Sequence, residues 1–327
     1  MKPSFYRLAR RTAIAALLIF AVQASAEITT RENSVFSINF YNNGDTFQGL
    51  ASSTMDWSEA RIEQTLAASQ LWIDTIADAF TSPSKINLNL VYTTFGNANI
   101  IGGSSSATVS TSSTEGIELD APFYNEATAT ELKWKFGINT DDFWQSGTPW
   151  DIFIQIGKDF DFTDNGFTRV LVHEIGHALG VASYLFDNGI RSSSYNKWDS
   201  LLVDSAGNSV ATSDLYTNLS SVLGQNIYLS DGTTQIQVYN PNTYAQGSSL
   251  SHPTDGSGYN VTDSILNYSG DPRTASPVAF SDLDLATLRM LGWTLRSDIV
   301  PEPATATLSL IGAFVFTIRR RRPQSSR

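Results

Sequence analysis

The stretch VLVHEIGHALG, residues 170–180, constrains the fold more than any other part of the chain. His173 and His177 stand four residues apart, and Glu174 follows the first. On an α-helix such positions lie one turn apart on one face, so both imidazoles can aim at a single ion about 2.0–2.1 Å from each nitrogen. Glu174 is rotated by about 100° from His173 and falls outside that shell. It is placed instead to take a proton from a water held there. Val170, Leu171, Ile175, Ala178 and Leu179 supply a core-facing surface, so the stretch reads as a helix. With only three histidines in the chain, this spacing arises by chance on the order of once per thousand sequences.

Two histidines do not complete a catalytic zinc site, which takes three protein ligands and keeps one position open. No glutamate occurs between Ala178 and Val300. The one remaining histidine is His252, 75 residues beyond His177 in GSSLSHPTDG. His252 is therefore the expected third ligand, with Asp187 and Asp199 as alternatives. The acidic spacing of DFDFTDNG (159–166) admits calcium, but a solvated turn capping the motif helix is the expected reading.

Both ends of the 327-residue chain read as processing signals. Lys2, Arg7, Arg10 and Arg11 precede the apolar run AIAALLIFAV and the triplet Ala24-Ser25-Ala26, the pattern of a secretory signal peptide over 1–26. At the other end, Pro301-Glu302-Pro303 is followed by an apolar run from Ala304 to Ile318 and then Arg319 to Arg322. Its 15 residues fall short of the ~20 needed to span a bilayer comfortably. Composition alone makes residues 301–327 an anchor or sorting tail, with transient membrane anchoring through 304–318. The segments 1–26 and 303–327 hold nine of the 21 basic residues and no acidic one. The body thus keeps 12 basic against 32 acidic residues, a balance that excludes nucleic acid and anionic lipid as partners. There is no cysteine, so neither a thiol nucleophile nor a disulfide is available.

The body, 27–300, reads as α+β. SVFSINFY, KINLNLVYTT and DIFIQIG are strands, with KINLNLVYTT alternating as if half-buried. Asp56 and Glu59 suggest the cap of a helix carrying Ile62, Leu66, Ser69, Ile73, Ile76 and Phe80 on one face and ended by Pro83. The motif helix starts near Phe167. Residues 183–260 are rich in Ser, Asn, Thr and Gly around one hairpin turning at Asp231-Gly232. Ser281 and Asp284 cap a closing helix that stops before Gly292.

HEIGHALG, with Gly180 after the second histidine, resembles the metzincin metallopeptidases. Ser183 stands where most of them carry their third histidine, and a distant His252 resembles the leishmanolysin-like branch. SILNY (264–268) stands at their Met-turn, with Leu266 in place of methionine, and LDLATLRMLGW resembles their closing helix. The resemblance implies a two-lobed fold with a twisted sheet and the active-site helix in the N-terminal lobe and an irregular C-terminal lobe. It implies a zinc endopeptidase in which His173, His177 and His252 hold one ion and Glu174 is the general base. Protein or peptide substrates would lie along a cleft and pair with an edge strand drawn from 98–122. Tyr268, two residues after Leu266, is in the register of a tyrosine that approaches the metal in the serralysin and astacin branches. The tail resembles the PEP-CTERM sorting signal of Gram-negative bacteria, whose partner is an exosortase-type sorting enzyme. It implies export to the cell surface or beyond. A non-catalytic zinc-containing surface, matrix or adhesion protein and a non-peptide zinc hydrolase are the alternatives.

Overall fold

The computed structural model describes residues 28–97, 100–110, 126–143, 149–187, 190–191, 195–211, 221–254, 264–267, 273 and 276–298. The segments expected to be a signal peptide and a sorting tail, and Tyr268, lie outside them. Among the described residues no helix is long and apolar enough to cross a membrane.

The chain is a mixed α+β structure. It opens with β1 (Thr29–Glu32) and β2 (Phe36–Tyr41), the short β3 (Thr46–Phe47) and β4 (Ala51–Ser52), and α1 (Glu59–Thr75). Then come β5 (Ile86–Thr93), β6 (Gly102–Ser106), β7 (Thr108–Ser110), β8 (Glu126–Thr128) and α2 (Ala129–Phe136). Next are β9 (Ile152–Gly157) and α3 (Asp164–Ala178), the motif helix. The remainder holds β10 (Phe186–Asp187), β11 (Ile190–Arg191), α4 (Lys197–Ser200), β12 (Leu202–Asp204), β13 (Ile227–Ser230), β14 (Gln235–Gln237) and α5 (Asp282–Met290).

Five strands form the main sheet in the order β1-β2-β5-β9-β6. β2, β5 and β9 run parallel, while β1 and β6 are antiparallel to their neighbours and form the two edges. β5 is more buried than its alternation suggests, because both faces of the sheet are covered. Leu88 and Leu90 face the main core, and Val91 packs on the other face with Tyr41, Phe47 and Phe153. Asn89 is buried there too, its amide donating to the Ile152 carbonyl at 3.3 Å.

α1 is capped by Ser58, whose hydroxyl accepts from Arg61 N, and not by Asp56, whose carboxylate accepts from Asn43 N. It buries Ile62, Thr65, Ala68, Ser69 and Trp72, leaving Leu66 and Ile73 at the margin. The helix stops well before Pro83, because Ile76 turns extended and bridges to Leu295. In the second half, β12, β13 and β14 make an antiparallel sheet whose Leu202, Leu229 and Ile236 join the same core as the main sheet. The hairpin between β13 and β14 closes with four residues rather than two. Ser230 pairs with Gln235, and the Asp231 carboxylate accepts from the backbone of Thr233 and Thr234.

Candidate metal centre and cleft

α3 begins earlier than Phe167. Thr163 is its cap, accepting from Gly166 N, and Asp164, Asn165 and Gly166 form the first turn. The acidic stretch before it is therefore a helix entry. Asp159 meets Lys158, and Asp164 lies 3.7 Å from Arg61. Val170, Leu171, Ile175, Ala178 and Leu179 are buried as the pattern requires, leaving the His173 and His177 face toward a cleft.

The end of α3 sets the orientation of His177. Gly180 adopts φ +93°, which allows Gly180 N to bond the His177 carbonyl and Val181 N to bond the Gly176 carbonyl. That reversal brings the Val181 carbonyl back over the ring, where His177 Nδ1–H donates to it at 2.5 Å. A side chain at 180 would be strained by this φ, and a Cβ there would lie 2.8 Å from Glu131 Oε1. Thr128 Oγ1 and Trp293 Nε1 donate to the terminal carbonyls of Ala178 and Leu179, satisfying groups the helix leaves open.

His252 arrives from the other half of the molecule. Residues beyond β14 pair with its segment: Tyr239 N donates to the His252 carbonyl and Leu250 N to the Tyr239 carbonyl. Leu250 is buried with φ +65°, a strained conformation for its residue type, and Trp198 Nε1 clamps its carbonyl at 2.6 Å.

The three imidazoles converge. His173 Nε2 lies 3.1 Å from His177 Nε2 and 3.2 Å from His252 Nε2. Each Nδ1 meets a backbone carbonyl, from Ile265 for His173, Val181 for His177 and Ser248 for His252. A carbonyl only accepts, so each Nδ1 carries the proton and each Nε2 presents a lone pair. Burial first, then the neighbouring His173, lowers the His177 pKa to about 3. Burial, with His177 and His173, holds His252 well below its ordinary value. Both shifts favour the neutral ring at His177 and His252, and the three Nε2 atoms face one another. A tetrahedral divalent ion about 2.0–2.1 Å from each nitrogen would space them about 3.3–3.4 Å apart, close to what is seen. The donor set fits a metal ion, and the three residues form a group able to hold one.

Of the two aspartate alternatives, Asp199 does not belong to this group. Asp199 is buried and accepts from Ser183 Oγ and the backbone of Tyr184 and Asn196. Burial pushes its carboxyl up to about 6 despite those donors. Asp199 thus shapes the loop after Gly180. The side chain of Asp187 lies outside the described residues.

Glu174 is 6% exposed and faces the cleft beneath β6. Burial raises its pKa, opposed by the neighbouring His173 and by the Ser104 hydroxyl. Ser104 Oγ is itself buried and makes no well-formed hydrogen bond. β6 approaches so closely that a Cβ at Gly102 would lie 2.9 Å from Val170 Cγ1 and 3.0 Å from Glu174 Oε1. The cleft has two chambers sharing Ser104, His177, Gln246 and Gly247, of about 510 and 480 Å³.

Sequence reading missed the use made of Asp284. Besides capping α5, its carboxylate accepts from Ser264 Oγ at 2.6 Å and from the backbone of Ile265 and Leu266 at 3.0 Å. It thereby fixes the loop whose Ile265 carbonyl orients His173. Leu266 fills the space under α3 left by Gly176, where a Cβ would lie 2.7 Å from Leu266 Cδ2. Asp284→Asn turns an NH2 group toward backbone N–H donors. It is expected to cost about 2–4 kcal/mol in chemical denaturation and to weaken metal binding about 10–100-fold. Compared with protein-family models, with curated proteins and with solved structures, the chain matches none.

Proposed function

We propose that the protein is an exported zinc-dependent endopeptidase of metzincin type. The observation that carries this reading is the buried Glu174 carboxylate beside three mutually facing imidazoles at the floor of an open cleft. His173, His177 and His252 would hold the ion. Zinc, when bound there, supplies a Lewis acid for the peptide carbonyl and lowers the pKa of water towards ~7. Glu174 takes the proton from the attacking water and gives it to the leaving amine, a role suited to a carboxylate whose pKa burial has raised. β6 is an edge of the main sheet among the described residues and borders both chambers, so an extended peptide laid along it would reach Glu174 from either side. Gly102 and Gly103 leave that approach unobstructed. A purely structural metal site has no need of the base. Export and sorting by the two terminal segments belong to the same proposal.

The test is casein cleavage by the purified protein, with and without a strong chelator. Cleavage that stops with chelation and returns with stoichiometric zinc is expected. Cleavage indifferent to chelation, or none in zinc-loaded protein, would contradict the proposal.

A further inference from the structure

Arg169, His173 and His177 occupy successive turns of one face of α3, and all three line the first chamber. At 1.5 Å rise per residue, Arg169 stands about 6 Å before His173 along the helix axis. One guanidinium N–H donates to the Ser264 carbonyl at 2.5 Å, in the loop that Asp284 anchors. The head is thus held in place with about four further N–H donors in a fixed fork. Arg31, Arg61, Lys85, Lys133, Lys135 and Lys158 all pair with carboxylates. Among the described residues no carboxylate pairs with Arg169, in a body where acidic residues far outnumber basic ones.

Among the described residues Arg169 is also the only lysine or arginine lining that chamber, between apolar walls from Phe95, Ile101, Val170 and Ile265. The second chamber, beyond His177, is lined by Glu126 and, among the described residues, by no lysine or arginine. Besides Glu174 at the metal centre, the first chamber thus offers a cationic side chain, and among the described residues the second offers none.

We propose that Arg169 is a specificity residue that binds a substrate carboxylate on the α3 N-terminal side of the metal centre. The guanidinium fork matches a carboxylate with two parallel bonds, and the apolar walls strengthen that pair relative to one in open water. The carboxylate comes from an Asp or Glu side chain or from a peptide's C-terminus. This inference deepens the peptidase reading and rests on it for the identity of the substrate as a peptide.

The test uses zinc-loaded Glu174→Gln protein and fluorescein-labelled peptides read by anisotropy, so that no turnover is needed. One peptide set replaces Glu by Gln at each position in turn, and a second compares a free with an amidated C-terminus. Preference of about tenfold for the acid form is expected in one set, which identifies the source. Adding Arg169→Gln should bring the ratio close to one while zinc content and affinity for the neutral peptide hold. Should Arg169→Gln disturb the Ser264 loop, Arg169→Lys keeps a donor without the fork and should lower the ratio at least threefold. No acid preference in either set, or a preference that survives both substitutions, would overturn the proposal. Acid preference in binding with no turnover of any peptide by the unsubstituted protein counts against the peptidase reading alone.

Discussion

Glu174→Gln is expected to retain its metal and its fold and to lose about 10²–10⁴-fold in turnover of casein, the range general-base groups contribute. The substitution is nearly isosteric at a site where β6 leaves little room, since even a Cβ at Gly102 would lie 3.0 Å from Glu174 Oε1. It removes only the ability to take a proton. Metal analysis and near-ultraviolet circular dichroism check retention, and initial rates give the loss. Unsubstituted rates in this variant would show that the buried carboxylate does not serve as the base.

His252→Ala is expected to lose metal as severely as His177→Ala. If the ~10–16 kcal/mol that holds a structural zinc is shared over four ligands, one ligand is worth about 2.5–4 kcal/mol, or about 10²–10³-fold in affinity. The ring is 4% exposed, and its Nδ1–H is committed to the Ser248 carbonyl, so Nε2 has no partner besides the other two imidazoles and whatever they hold. Metal content after dialysis against buffer compares the two variants directly. Retained metal in His252→Ala, with His177→Ala empty, would place the third ligand elsewhere.

What was legible in the sequence follows from the range of the interactions. The motif helix and its buried face were readable because a 3.6-residue period and an i, i+4 pair are local. So was α5, whose Ser281–Asp284 box and terminal Gly292 are four- and one-residue signals. His252 was reachable by elimination, since the chain has only three histidines and no glutamate follows in the body. What carries it to the cleft was not: pairing beyond β14, a left-handed Leu250 and the Trp198 clamp join segments up to 52 residues apart.

Other misses were local signals passed over. α2 carries a Thr128–Glu131 capping box and ends at Gly137 with φ +65°, both visible as TATE and a following glycine. Ser58 caps α1 although Asp56 competes two residues earlier, because Asp56 is drawn to Asn43 N across a loop. The Arg169–Ser264 contact and the hold of Asp284 on the 264–267 loop, beyond its cap of α5, are not legible for a different reason. That loop lies about 95 residues from Arg169 and about 20 from Asp284, and no spacing rule connects them.

The most direct measurement is zinc K-edge X-ray absorption on the purified protein together with metal stoichiometry. The expected result is one zinc per chain, bound by three imidazole nitrogens at about 2.0–2.1 Å and one oxygen ligand, with one imidazole lost in His252→Ala. A site with two imidazoles, an all-oxygen shell, or protein that takes up no zinc would contradict the three-histidine centre on which the proposed chemistry rests.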